Sequence, residues 1–126
     1  MAAHPQLKIK IQLHSGEEIA MGPGKAQLLE AIRQSGSISA AARTMDMSYR
    51  RAWLLVDTMN RCWAQPLVLT APGRAGGSGA RLSETGESVL AHYRALASRV
   101  EAASHGAELE ALRAMVRDEP RDHQRD

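Results

Sequence analysis

Three breaks between residues 22 and 48 constrain this chain more than any other feature: Gly22-Pro23-Gly24, Ser35-Gly36-Ser37 and Asp46-Met47-Ser48. Proline is tolerated in the first turn of a helix, glycine is favoured just past the last turn, and serine caps a helix start. The breaks therefore read as a start, a stop followed by a start, and a further start. A first helix begins near residue 23 or 24, with Leu28, Leu29 and Ile32 as its apolar stripe, and ends at Gly36. A second, capped by Ser37, presents a narrow face of Ile38, Ala41, Ala42 and Met45, small enough for a neighbouring helix to approach closely. A third runs from about 48 to 63, where Ala52, Val56 and Met59 recur at helical spacing. Helix, short helix, tight turn and helix over 24–63 is the helix-turn-helix order.

Both flanks carry strand signals. Leu7, Ile9, Ile11 and Leu13 alternate with Lys8, Lys10 and Gln12, His14-Ser15-Gly16-Glu17 supplies turn chemistry, and residues 18–21 return, which predicts a hairpin over 7–21. After Pro66, residues 67–70 and 80–82 read as an antiparallel pair, a wing over 67–82. Between them, residues 71–79 are too rich in glycine to pack and are expected to form a mobile loop carrying Arg74. Ser83 and Glu84 open a long helix with Val89, Leu90, Tyr93, Leu96, Ala97 and Val100 along one stripe. A break at His105-Gly106 precedes a second helical piece with Leu109, Leu112, Met115 and Val116. The expected fold class is mainly α with small β: a winged helix-turn-helix over 1–82 with an N-terminal hairpin, a C-terminal helical dimerisation region over 83–117, and a disordered tail over 118–126.

Composition narrows the function. The 126 residues, 44% of them apolar, suit one domain plus an appended helix. The chain has no run of about 18 apolar residues and no basic-then-apolar start, so neither a membrane span nor a signal peptide is expected and the reading is cytoplasmic. A lone Cys62 makes no internal disulfide and is assigned no role. The histidines at 4, 14, 92, 105 and 123 lack metal-ligand spacing, and neither a nucleophile elbow nor a phosphate-binding Gly-Lys-Ser/Thr sequence is present, so no catalytic site, metal or cofactor is expected. Charge is segregated: residues 24–81 hold eight Lys/Arg against three acids, a net +5, while residues 82–126 hold six Arg against nine acids, a net −3. A basic middle joined to an acidic end fits a polyanion-binding surface with a segment facing away from it.

The run from Ser35 to Ala42, followed by Met47-Ser48-Tyr49-Arg50-Arg51-Ala52-Trp53 and Met59-Asn60, resembles the N-terminal domain of the ModE-type molybdate-responsive regulators and, more widely, LysR-type winged helices. The glycines at 73, 76, 77 and 79, closed by residues 80–83 and Gly86, look like the wing of that family, although Arg74 and Ser78 replace glycines there and Ser83 replaces threonine. The similarity covers roughly residues 7–104. It implies DNA binding and dimer formation. Family members continue into a β-rich oxyanion-binding domain, whereas nothing after residue 105 reads as strands, so molybdate sensing is not expected within this polypeptide.

In a helix-turn-helix the first turn of the third helix faces base edges, which only long or hydrogen-bonding side chains reach. Tyr49, Arg50 and Arg51 meet that requirement after the Ser48 cap. Ser37, Ser39 and Arg43 on the second helix are candidate phosphate contacts, with Ser37 serving as cap as well. Arg74 at the wing tip and Arg81 at its base complete the candidate DNA-binding set. Trp53 lies one position outside the core stripe, where it could touch a backbone sugar or pack on a neighbouring helix, and packing is the favoured reading. Val89, Leu90, Tyr93, Leu96, Val100, Leu109 and Leu112 form the candidate dimer interface. The expected partners are double-stranded DNA and a second copy of the chain, with no membrane and no identified effector; the alternative is a winged-helix interaction module that modulates another regulator without reading DNA. A small-molecule sensor would need a pocket between the long helices of two subunits.

Overall fold

The computed structural model describes residues 5–74 and 77–124, with side chains described at all of these except 72–74, 77 and 78. Its elements in order are β1 (Leu13–Ser15), β2 (Glu18–Met21), α1 (Pro23–Ser35), α2 (Ile38–Thr44), α3 (Tyr49–Cys62), β3 (Val68–Arg74), β4 (Gly77–Leu82), α4 (Glu84–Ser104) and α5 (Ala107–Met115). β1 pairs antiparallel with β2 and β3 with β4, as two separate two-stranded sheets. The fold is mainly helical with two small hairpins: a winged helix.

The breaks act as their chemistry dictates. Gly36 takes a left-handed conformation, φ 80°, and its N–H returns to Ile32 O at 2.8 Å, closing α1. Ser37, Ser48 and Ser83 each accept a backbone N–H two or three residues into the helix they open, from Ala40 at 2.9 Å, Arg51 at 3.1 Å and Gly86 at 2.9 Å. Asp46 holds φ 55° in the turn between α2 and α3, a region that aspartate tolerates better than most residues with a Cβ.

Around these turns one core forms from Leu28, Leu29, Ile32, Ala41, Ala42, Ala52, Val56, Met59, Leu67, Val68, Leu82 and Leu90. Its width is set by small residues: Ala41 and Ala52, both fully buried, let α2 and α3 approach. The start of α4 belongs to this core as well, through buried Gly86 and Leu90. A Cβ at Gly86 would collide with the Leu67 carbonyl, so α4 crosses the base of the wing at backbone distance. The core therefore does not stop at residue 82.

Three sequence expectations change. The N-terminal hairpin spans 13–21 rather than 7–21, because β2 is only four residues long and Pro23 ends the pairing edge, leaving residues 7–12 without a ladder partner. Their alternation serves packing on α4 instead: Ile11 is half-buried and its carbonyl accepts the Tyr93 hydroxyl at 2.9 Å. Burial of that hydroxyl raises the Tyr93 pKa above its ordinary value. The glycine-rich stretch is also more ordered in its pairing than expected. Ala71 faces Gly79 and Arg74 faces Gly77, with an irregularity between Ala71 and Arg74, so strand pairing extends into the stretch expected to be a loop. Residues 75 and 76 of the expected loop, and residues 125 and 126 of the expected tail, lie outside the described residues. Finally, Leu90 is 2% exposed and Leu109 7%, both packed within the chain, which removes them from the expected dimer interface.

Residues 7–11, the second half of α4 and α5 together enclose a groove of about 500 Å³, with Ile9, Ile11 and Leu109 beside Tyr93, Arg94 and His105. Among the described residues, no helix is long and apolar enough to cross a membrane.

Gly86→Ala should destabilise the fold by about 1–3 kcal/mol, since the Leu67 backbone is the atom that must give way. A chemical-denaturation midpoint unchanged from the wild type would show that α4 is free to lift off the wing.

Candidate nucleic-acid interface

The wing is held at its base by three anchors. Asn60, in the last turn of α3, accepts the N–H groups of Leu67 and Val68 on Oδ1, at 2.9 and 3.1 Å, and donates from Nδ2 to Val68 O at 3.1 Å. One side chain thus substitutes for a ladder neighbour and ties the wing to α3. Ser83 N–H donates to Leu67 O at 2.9 Å and its hydroxyl to Pro66 O at 2.6 Å, tying the opposite strand and α4 to the same point. Ala80 N–H donates to Gly36 O at 2.8 Å, which joins β4 to the turn between α1 and α2. Arg81 and Ser37 are each one residue from that bond, so the wing base and the start of α2 are brought together.

Each predicted contact residue falls into place on this frame. Ser37 and Ser48 spend their oxygen lone pairs on caps, leaving a hydroxyl proton at each helix start to donate outward. On the exposed face of α2, Arg43 Nη1 donates to Ser39 Oγ at 3.2 Å, so two candidate phosphate contacts are a pair. Tyr49, Arg50 and Arg51 occupy the exposed first turn of α3. Arg81 is exposed on β4. Arg74 ends β3 opposite Gly77, and its side chain lies outside the described residues.

Ion pairing separates the cations into two groups. Arg33 is held by Glu30 at 2.6 Å and Glu87 at 3.0 Å, Arg61 by Asp57 at 3.0 Å, and Arg113 by Glu110 at 3.5 Å. The hydrogen bond from Arg33 keeps the Glu30 carboxyl below its ordinary pKa, and bonds to Glu30 and Glu87 raise that of Arg33. Among the described residues, ion pairs engage none of Arg43, Arg50, Arg51 and Arg81. Uncompensated positive charge therefore gathers on α2, the start of α3 and the wing base. No group of three or more His, Cys, Asp or Glu side chains that could hold a metal ion occurs among the described residues.

Four residues escaped sequence reasoning in whole or in part. Trp53, expected to pack, is 47% exposed, because Ala52 and Val56 take the inward positions on either side of it. Leu54 is 45% exposed beside it. Trp63 is the indole that packs: its Nε1–H donates to Ala20 O at 3.0 Å, pinning the N-terminal hairpin to the end of α3. Asn60 was visible only as part of a family-like sequence, and no local pattern distinguishes a clamping asparagine from a solvated one.

No family model matches the chain. Over 80 residues it is 46% identical to the molybdenum-pterin-binding protein MopB of Rhodobacter capsulatus, covering 64% of this chain and 30% of that protein. It is 38% identical over 87 residues to the molybdenum transport protein ModE of Azotobacter vinelandii, 69% of this chain and 32% of the relative. With the DNA-binding transcriptional dual regulator ModE of Escherichia coli (strain K12), identity is 35% over 92 residues, 73% of this chain and 35% of the relative. The chain carries a ModE-type N-terminal domain. It spans about a third of the length of these curated relatives. The names of the relatives are those of regulators and molybdenum-binding or transport proteins, none of them an enzyme.

Removing the Asn60 clamp from this ModE-type domain leaves wing amides and a carbonyl without partners. Asn60→Ala should cost about 1–3 kcal/mol. Hydrogen exchange should quicken at Leu67 and Val68 before it does in α1; uniform exchange would mean that the wing is held by its ladder alone.

Proposed function

We propose that this chain is a sequence-specific duplex-DNA-binding regulator of transcription that acts as a homodimer. The observation that carries the reading is the start of α3, where Ser48 caps a first turn holding Tyr49, Arg50 and Arg51, exposed and, for the arginines, free of ion pairs among the described residues. Laid in a major groove, that turn presents two guanidinium groups able to bond guanine O6 and N7. α2 and the wing flank it with Ser37, Ser39, Arg43, Arg74 and Arg81 for phosphates, which set register rather than sequence. A pure interaction module has no use for so much uncompensated charge on one helix-turn-helix.

Pairing of two copies is supported by exposed apolar residues outside the helix-turn-helix. Leu7, Ile9, Leu96, Leu112, Met115 and Val116 are all large, apolar and exposed, on the N-terminal segment, the second half of α4 and the α5 region. Val89, Tyr93 and Val100 stand half-buried along the same helix. Isologous contact through these elements would bury them and fix the distance between two recognition helices. The names of the relatives suggest genes of molybdenum transport or use as targets, by analogy alone. The charge distribution and the family favour a cytoplasmic setting.

Selection from random duplexes should yield a two-fold symmetric site. Arg50→Ala or Arg51→Ala should change the preferred base at one position by about 1–3 kcal/mol, while Arg74→Ala and Arg81→Ala weaken all sequences alike. Variants at 50 and 51 that bind the selected site as tightly as the wild type would remove α3 from the groove. Light scattering should give about twice the chain mass of 13.7 kDa; a monomer at micromolar concentration would remove the half-site geometry.

A further inference from the structure

The geometry points to Leu54 as a reader of thymine: its side chain contacts a thymine C5-methyl group one to two base pairs from the guanine bound by Arg50. This inference rests on the DNA-binding reading above and adds the base chemistry of its site. Buried Ala52, Val56 and Met59 fix which side of α3 faces the core. Arg50 and Leu54, four residues apart and offset from that stripe, share the outward face. Leu54 is 45% exposed there, and no partly buried neighbour claims it for the core. Exposed Trp53 stands beside it, and the aliphatic side chain itself, between Arg50 and the Asp57–Arg61 pair, has no packing role in the chain.

The next outward positions limit what else can bind. Asp57 is tied to Arg61 at 3.0 Å, and Arg61 also reaches Glu18 at 4.0 Å, so the helix turns from cationic to self-neutralised one turn beyond Leu54. Base contact is thereby confined to the first two turns, where Tyr49, Arg50 and Arg51 offer hydrogen bonds and Leu54, opposite the core stripe, offers an aliphatic surface. The occupant is set by charge: Arg43, Arg50, Arg51 and Arg81 are engaged by no ion pair among the described residues, so this surface attracts phosphate, repels a cationic partner and offers a neutral one no electrostatic gain. Within a major groove the one apolar group offered by the base edges is the thymine methyl. Four residues of helix advance by about 6 Å, against about 3.4 Å per base pair, which gives the spacing of one to two base pairs.

The test removes only the methyl. Each thymidine of a site selected by the full chain is replaced in turn by deoxyuridine, and affinity is measured for the wild type, Leu54→Ala and Leu54→Gln. At one position next to the Arg50-dependent guanine, the wild type should lose about fourfold, the value of one buried methyl-sized group, while both variants show no further loss. Thermal unfolding of the variants should match the wild type, since the position is exposed. A wild type indifferent to deoxyuridine everywhere, or variants that retain the full methyl penalty, would overturn the assignment of Leu54 and leave DNA binding intact. A wild-type chain that selects no duplex at all would overturn both.

Discussion

The backbone of Leu67 and Val68 is the point on which the winged helix depends. Asn60 reaches it from α3, Ser83 from the start of α4, and Gly86 lies against the Leu67 carbonyl with no room for a Cβ. Both side chains at this point are buried in the core. α3, the wing and α4 thus meet at two residues, and each contact is polar or steric rather than merely apolar. Directional contacts of this kind specify one arrangement, whereas apolar burial alone tolerates several. The base of the wing is consequently tied to the core, and the Arg81 backbone is placed next to that of Ser37 through the bond from Ala80 to Gly36.

Much of this was legible because the signals are local. A glycine that must adopt positive φ, a serine that must cap and a proline that must start a helix act through their immediate neighbours, so Gly36, Ser37, Ser48, Ser83 and Pro23 could be placed without knowing the tertiary structure. The first turn of α3 followed from Ser48, and with it the positions of Tyr49, Arg50 and Arg51. What stayed hidden was set at long range. Whether residues 7–12 pair as a strand depends on how long β2 is, and whether Leu90 faces the core depends on where α4 crosses the wing. Periodicity identifies an apolar face but not the surface that covers it, which is why Leu90 and Leu109 were grouped with Leu96 and Leu112. Trp53 and Trp63 show the same limit: size and hydrophobicity are alike, and only the angular position on or beyond α3 decides which indole packs.

Helix starts give a final measure of what α3 is built for. The dipole of a helix favours anions at its N-terminus, and α4 and α5 comply with Glu84 and Glu87 and with Glu108 and Glu110 in their first turns. α3 does the opposite, with no acid and two arginines after its cap. Each misplaced charge costs about 0.3–1 kcal/mol at an exposed helix end, and the Ser48 cap recovers about as much as one of them. The remaining deficit is borne by the free domain. A phosphate or a guanine edge brought to this turn faces the dipole, two uncompensated guanidinium groups and the spare Ser48 hydroxyl proton at once, so the same placement that weakens the isolated helix strengthens the bound one. The α4 and α5 starts, already neutralised by their own carboxylates, would gain nothing from such a ligand, and this contrast supports the reading of α3 as the helix that faces an anion.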